Sequence, residues 1–388
     1  MGEPSPQRRR QLRSFVPAGI GRLQALDQPG AEPIGQPLLD LASNDTLALA
    51  SYPALASAAI ACIQRQGVGA SASRLVSGSR PEHQRLEAAL AEWLQRPRVL
   101  LFPSGYQANL AAVAALADRH SLVLADRLIH HSLLQGVRAC GARLQRFRHN
   151  DLRDLERRLQ MLRQHQPQRR LVVLSESLFS MAGTSPDVRA MAALCKRLGA
   201  SLLLDEAHGL GLLGPGGRGL GYGQAGVSMV CGTLGKAFAS GGAFLATDAE
   251  LGELILQRSG AFRYTTALAP PLAAAALVAL ELIRGPEGDS RRLQLQHLCQ
   301  QWRKAIAAAG WPRPAGSGPI LALKLGSDQR ALDLQAHLEQ AGLLAIAIRP
   351  PTVPEGQAQL RISLRPGLPA DALPRLLASL DASMVVAP

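Results

Sequence analysis

Six short apolar runs, each closed by turn residues and separated by longer stretches of helical period, constrain this chain more than any other feature. They are Val99–Phe102, Leu122–Ala125, Leu171–Leu174, Ser201–Leu204, Val227–Cys231 and Ala243–Ala246. Runs of this length are too short for helices, and their near-continuous apolarity is that of strands buried on both faces. Helical segments between such strands are the crossovers that a parallel sheet needs. Glu82–Trp93 follows Pro81, which suits a first helical turn, and Asp187–Leu198 follows Ser185-Pro186 and stops at Gly199. The expected fold is α/β, with a mostly parallel central sheet joined by crossover helices. From Gly285 the texture changes to Gly-Pro-Glu-Gly-Asp-Ser, then a long helix over Arg291–Ala309 and further strand and helix signals. The expected organisation is an N-terminal arm over 1–45, a large α/β domain over 46–285 and a smaller C-terminal α/β domain over 286–388.

The chain is long enough for a sizeable core: 388 residues, 47% hydrophobic and 18% charged, a composition that excludes general disorder. A formal net charge of +13 first suggests a polyanion partner. The excess is carried by arginine, however, because lysine occurs only at Lys196, Lys236, Lys304 and Lys324. The arginines are spread along the chain and aromatics are only 4%, so a stacking, basic stripe for nucleic acid is not expected. Spread positive charge can still attract an anionic substrate or acyl carrier.

The first 40 residues hold Arg8, Arg9, Arg10 and Arg13 but no apolar run ending in a small-residue cleavage site, which points to a cytoplasmic protein. The longest apolar stretches, such as Pro270–Ile283, are too short to span a membrane. Five scattered cysteines (Cys62, Cys140, Cys195, Cys231, Cys299) read as reduced, buried thiols rather than a disulfide framework or a metal site.

Several motifs fail on context. Gly209-Leu-Gly211-Leu-Leu-Gly214 has dinucleotide spacing, but Pro215-Gly216-Gly217 follows it and no helix can begin there. Gly235-Lys236 lacks the remainder of a phosphate loop, and Ser104-Gly105 lacks the glycine two residues earlier that a nucleophile elbow needs. His130-His131 has no second ligand pair at useful spacing, so no metal is expected.

One constellation survives. Ser201-Leu-Leu-Leu-Asp205-Glu206-Ala207-His208 is an apolar strand ending in a carboxylate, with a histidine three residues on. Ligands of open α/β sheets sit at such strand ends, and a carboxylate there needs a cation. The next strand, Val227–Cys231, runs into Gly232-Thr233-Leu234-Gly235-Lys236, a lysine among small and apolar residues. Burial there would favour a neutral amine able to form a Schiff base. The other three lysines read as solvated: Lys196 stands beside Arg197, Lys304 follows Arg303, and Lys324 ends a strand. A carboxylate for a ring nitrogen and a lysine for an aldehyde together point to pyridoxal phosphate. Its phosphate would need amides at a helix start, which Phe102-Pro103-Ser104-Gly105-Tyr106-Gln107 offers, with Thr233 adding a hydroxyl.

These residues resemble those of the α-oxoamine synthases, pyridoxal-phosphate enzymes of fold type I that join an amino acid to an acyl thioester with loss of CO2. The resemblance runs from about residue 40 to the end. It is carried by Ser43-Asn44-Asp45, Val76-Ser77-Gly78, Ser104-Gly105-Tyr106-Gln107-Ala108-Asn109, Asp126-Arg127-Leu128-Ile129-His130, Glu176 with Phe179-Ser180-Met181, Asp205-Glu206-Ala207-His208-Gly209, Thr233-Leu234-Gly235-Lys236 and Ala347-Ile348-Arg349-Pro350-Pro351-Thr352-Val353-Pro354. The last run looks like the biotin-pathway branch, which implies L-alanine and a pimeloyl thioester, on CoA or a carrier protein, as substrates.

The resemblance implies roles residue by residue. Lys236 would hold the cofactor covalently, Asp205 would face the pyridine nitrogen, His208 the ring oxygen, and His130 the ring face. Ser180 would contact the cofactor, and Thr233 with the amides of Gly105 and Tyr106 would hold the phosphate. Arg349 would bind the amino-acid carboxylate, Thr352 and Asn44 would approach substrate, and Arg13 would contact the acyl chain. Tyr264-Thr265-Thr266 matches a segment that reaches a neighbouring subunit's phosphate, which implies a homodimer. Thr46 and Ala48 stand where tyrosine and glycine are usual, Ala239 where glycine is common, and Gln359 where arginine is frequent. The alternatives are another α-oxoamine synthase that uses glycine, of the glycine C-acetyltransferase or 5-aminolevulinate synthase type, and a non-catalytic basic binding protein.

Overall fold

The computed structural model describes residues 5–27 and 32–385. They form two compact units, one of Leu49–Phe179 with Ser185–Arg292, the other of the described residues within 1–48 and 293–388 together with Ser180–Thr184.

The larger unit is built on a seven-stranded sheet in the order Arg98–Phe102, Ala243–Thr247, Val227–Thr233, Ser201–Asp205, Leu171–Glu176, Leu122–Asp126, Arg143–Phe147. Only Ala243–Thr247 runs antiparallel to its neighbours. Every residue of Leu122–Asp126 and Leu171–Glu176 is buried, which is why these strands read as unbroken apolar runs. Six of the seven strands coincide with the expected runs. The seventh, Arg143–Phe147, is an edge strand whose sequence Arg-Leu-Gln-Arg-Phe is half polar and half accessible, so apolarity does not reveal it.

Side chains at the helix starts explain the helix boundaries. Asp187 caps Val188–Arg197 by accepting from the Ala190 amide at 2.9 Å, and Asp151 caps Leu152–His165 from the Asp154 amide at 2.9 Å. Pro81 occupies the first turn of Pro81–Leu94 as its fixed φ allows. The long helix expected from Arg291 begins earlier, at Pro286, and runs to Ala308. Pro286 again suits a first helical position, with Glu287 and Asp289 in the first turn, so the Gly-Pro-Glu-Gly-Asp-Ser segment is a helix start rather than a linker.

In the smaller unit, Ile320–Gly326, Ala358–Ser363 and Ile346–Ile348 form an antiparallel sheet against the helix Asp328–Gln340. The segment expected to be an arm carries three strands, Ser14–Pro17, Arg22–Leu26 and Pro33–Asp40, paired antiparallel in sequence. Pro33–Asp40 then pairs parallel with Leu343–Leu344. Gly19 and Gly21, both at positive φ, make the reversal between the first two strands.

Cys62, Cys195, Cys231 and Cys299 are buried free thiols and Cys140 is half-buried. Among the described residues, no helix is long and apolar enough to cross a membrane.

Candidate active site

In the larger unit the C-terminal ends of adjacent strands gather the chemistry. Asp205 closes Ser201–Asp205 and is 5% exposed. Its Oδ2 accepts from Asn109 Nδ2 at 2.7 Å and its Oδ1 from the Ala207 amide at 2.9 Å. Among the described residues no lysine, arginine or histidine makes an ion pair with it. A buried carboxylate held by amide hydrogen bonds is costly, so this position suits a cation.

Lys236 lies just beyond the adjacent strand Val227–Thr233 and is half-buried, whereas Lys196, Lys304 and Lys324 are exposed. Its Nζ stands 2.7 Å from Nε2 of His208, which is itself buried. The loop around it is tied by backbone bonds from Leu234 to Gly242, Ser240 to Leu234 and Ala239 to Lys236. Thr233 Oγ1 accepts from the Gly235 amide and donates to the Gly242 carbonyl, both at 3.3 Å. Ala239 turns the chain at φ 51°, in the left-handed region where glycine would be unstrained. Ala48, another alanine at a usual glycine position, sits at φ 54°.

His130 caps the helix His131–Cys140, its Nδ1 accepting from the Ser132 amide at 3.3 Å and standing 2.7 Å from Ser132 Oγ. Ser132 Oγ in turn accepts from Asn109 Nδ2 at 2.9 Å, so a continuous hydrogen-bonded chain joins His130 to Asp205. His130 is exposed, yet desolvation within the site pushes its pKa below the ordinary value. Asp205 pulls the other way, and Lys236 and His131 add to the lowering.

Gly105 and Tyr106 are the first two residues of the helix Gly105–Leu116, whose cap Ser104 accepts from the Gln107 amide at 3.3 Å. First-turn amides find no partner inside a helix and attract anions. A Cβ built on Gly105 would meet only Ala243 Cβ, at 4.0 Å, so the approach to these amides is open. Gln107 Nε2 also donates to Thr265 Oγ1 at 3.2 Å, which brings the Tyr264-Thr265-Thr266 segment to this helix start within one chain.

Glu206 is fully buried beside Asp205 and accepts from the Gly221 amide at 2.6 Å. Burial pushes its pKa up to about 7, with the Asp205 charge adding to the effect.

The remaining expected residues belong to the smaller unit. Buried Arg349 donates from Nη1 to the Gln7 carbonyl and lines a cavity of about 560 Å³ with Arg9 and Arg13, and Arg13 also pairs with Glu339 at 2.7 Å. Thr352 is exposed on the same loop, its amide bonded to the Arg349 carbonyl at 3.1 Å. Half-buried Ser180 and Asn44 meet at one buried guanidinium, Arg361. Its Nε donates to the Ser180 carbonyl at 2.9 Å and its Nη2 to Asn44 Oδ1 at 2.7 Å. Among the described residues no carboxylate pairs with Arg361.

Sequence reasoning gave no role to Arg361, Asn109 or Ser132. Asn109 lay inside a quoted motif and Arg361 followed a noted departure at Gln359, so motif membership was the available signal. Among the described residues, no group of three or more histidines, cysteines or carboxylates is placed to hold a metal.

Comparison with known proteins follows the same lines. The model of the aminotransferase class I and II family matches residues 36–380. An 8-amino-7-oxononanoate synthase of Acidithiobacillus ferrooxidans is 45% identical over 334 residues, 85% of this chain and 84% of the relative. The crystal structure of 8-amino-7-oxononanoate synthase from Francisella tularensis superposes with a TM-score of 0.76 at 26% identity, covering 90% of this chain and 98% of that one. A serine palmitoyltransferase from S. paucimobilis with bound PLP shares the fold at a TM-score of 0.88 and 24% identity, with coverage of 95% and 92%.

Proposed function

The chain belongs to the 8-amino-7-oxononanoate synthase family within the class I and II aminotransferases, and from that premise we infer that it is a pyridoxal-phosphate-dependent acyltransferase of biotin biosynthesis. It condenses L-alanine with a pimeloyl thioester, on CoA or a carrier protein. One C–C bond forms between the alanine Cα and the acyl carbonyl, and the thiol and CO2 leave, giving 8-amino-7-oxononanoate. The observation that carries this reading is the pairing, on neighbouring strand ends, of a buried carboxylate without a cation and a half-buried lysine 2.7 Å from a histidine.

The residues fit the cofactor. Asp205 would face the pyridine nitrogen, whose positive charge would answer the buried carboxylate, and Lys236 would hold the aldehyde carbon. The open first turn at Gly105 and Tyr106, with Thr233, would hold the phosphate, and His208 and His130 would meet the ring oxygen and ring face. Ser180 would add a contact to the cofactor. When bound, pyridoxal phosphate supplies an electron sink for the bonds broken at the amino-acid Cα.

The chain's own groups then handle protons and charge. Lys236 Nζ would serve as the base for the Cα proton, and His208 stands within proton-transfer reach of it at 2.7 Å. Arg349 binds the alanine carboxylate in this reading, with Thr352 on the same loop, and Asn44 with Arg361 offers a second cationic position for substrate. Arg13, beside Arg349 and Arg9 in one cavity, suits the distal carboxylate of the acyl chain.

Exposed Ile60, Leu75, Val76, Tyr264 and Leu272 in the larger unit support a homodimer. Thiol release tests the substrate choice. L-Alanine with pimeloyl-CoA should turn over far faster than glycine with acetyl-CoA; the reverse order would replace this reading with that of a glycine-using relative.

A further inference from the structure

The hydrogen-bond chain between Asp205 and His130 has a fixed donor at each end, the Asn109 amide at Asp205 and the Ser132 backbone amide at His130. An ionised carboxylate accepts and cannot donate, so Asn109 must turn its NH2 toward Asp205. The side chain does so although this leaves its Oδ1 buried with no hydrogen-bond partner. The second Nδ2 hydrogen goes to Ser132 Oγ at 2.9 Å. With that hydroxyl oxygen already accepting, the Ser132 O–H is available to donate to His130 Nδ1, 2.7 Å away. The Ser132 amide, which can only donate, points at the same Nδ1 at 3.3 Å. The amide aimed at Nδ1, with the Ser132 O–H free to join it, favours a lone pair on that nitrogen and the ring proton on Nε2. Asn109, Ser132 and Asp205 are all at most 5% exposed, so water is kept from their links, while His130 itself is exposed.

We propose that Asn109 and Ser132 are positioning residues that lock His130 as the neutral Nε2–H tautomer, with Asp205 as the anchor that sets the direction of the lock. This rests on the reading of the site as a pyridoxal-phosphate centre only for its consequence. There, His130 would offer an N–H donor to a substrate or cofactor oxygen and could not act as a base through Nε2. The charged groups around the ring are Asp205, which favours protonation, and Lys236 and His131, which oppose it. Asp205 thus touches two functions, balancing a cation directly and fixing a histidine through two side chains.

The test is nitrogen NMR of the holoenzyme labelled at histidine ring nitrogens, with the His130 signals assigned by their loss in His130→Gln. The wild type should show a lone-pair Nδ1 and a protonated Nε2. Ser132→Ala and Asn109→Ala should each move both signals toward the average of the two tautomers, and Ser132→Thr, which restores the hydroxyl, should return them. A protonated Nδ1 in the wild type overturns the proposal, and this arm needs no variant to fold. Unchanged nitrogen signals in both alanine variants also overturn it. Because the readout is the ring itself, a holoenzyme that fails to make the expected product would sink the functional reading while leaving the tautomer result standing.

Discussion

Lys236 Nζ lies 2.7 Å from His208 Nε2, joining the loop after one strand to the turn after its neighbour. Of the four lysines in the chain, this is the one that is not exposed. Borohydride reduction of the holoenzyme followed by peptide mapping should place a pyridoxyl group on Lys236. Modification of Lys196, Lys304 or Lys324 instead would dissociate the strand-end site from the cofactor.

Asp205 is buried and makes no ion pair among the described residues, so its charge is expected to act on the cofactor. Asp205→Asn keeps the shape and removes the charge. It should lower kcat by about 100-fold or more, the scale of losing one preorganised electrostatic contact in a closed site. A kcat within a few-fold of the wild type would show that the carboxylate serves folding alone.

Two buried arginines, Arg349 and Arg361, are candidates for the alanine carboxylate. Arg349→Lys should raise KM for L-alanine by about 10–100-fold with a smaller change in kcat, because lysine cannot reproduce a two-pronged guanidinium contact. If Arg361→Lys raises KM for alanine and Arg349→Lys leaves it unchanged, Arg361 rather than Arg349 binds the alanine carboxylate.

Glu206 links stability to pH. Its pKa in the folded protein, about 7, lies above the ordinary 4.5, so the folded state holds its proton more tightly than the unfolded state. Its contribution is complete below pH 4.5 and is lost as pH rises through 7, a loss of up to about 3 kcal/mol. Glu206→Gln keeps the acceptor for the Gly221 amide and cannot ionise. Denaturant midpoints should therefore show the variant gaining on the wild type between pH 5 and pH 8; equal differences at both values would refute the assignment.

The alanines at positive φ carry a cost that glycine would not. Ala48→Gly and Ala239→Gly should each stabilise the protein by about 0.5–1 kcal/mol, the relief of left-handed strain less the added freedom of the unfolded chain. Chemical denaturation measures this directly, and a loss of stability at both positions would contradict it.

Much of this was legible in the residues because burial leaves a plain mark. Six strands were written as apolar runs, and Asp205 and Lys236 each stood out by ending or following one. What escaped were features whose logic is pairwise. The edge strand Arg143–Phe147 is half polar because half of it is accessible. The three strands within 14–40 are short and mixed, and only their partners reveal them. Arg361, Asn109 and Ser132 matter through what they touch, and contacts between residues 23 to 317 positions apart have no periodicity to read.

The central claim is a decarboxylative condensation that depends on Lys236. The most direct measurement is mass spectrometry of the products from carboxyl-labelled L-alanine and pimeloyl-CoA with the wild-type enzyme and with Lys236→Ala. The wild type should yield unlabelled 8-amino-7-oxononanoate, labelled CO2 and free CoA in equal amounts, and the variant none of the three. Product formation by Lys236→Ala at the wild-type rate, or a product that retains the label, would contradict it.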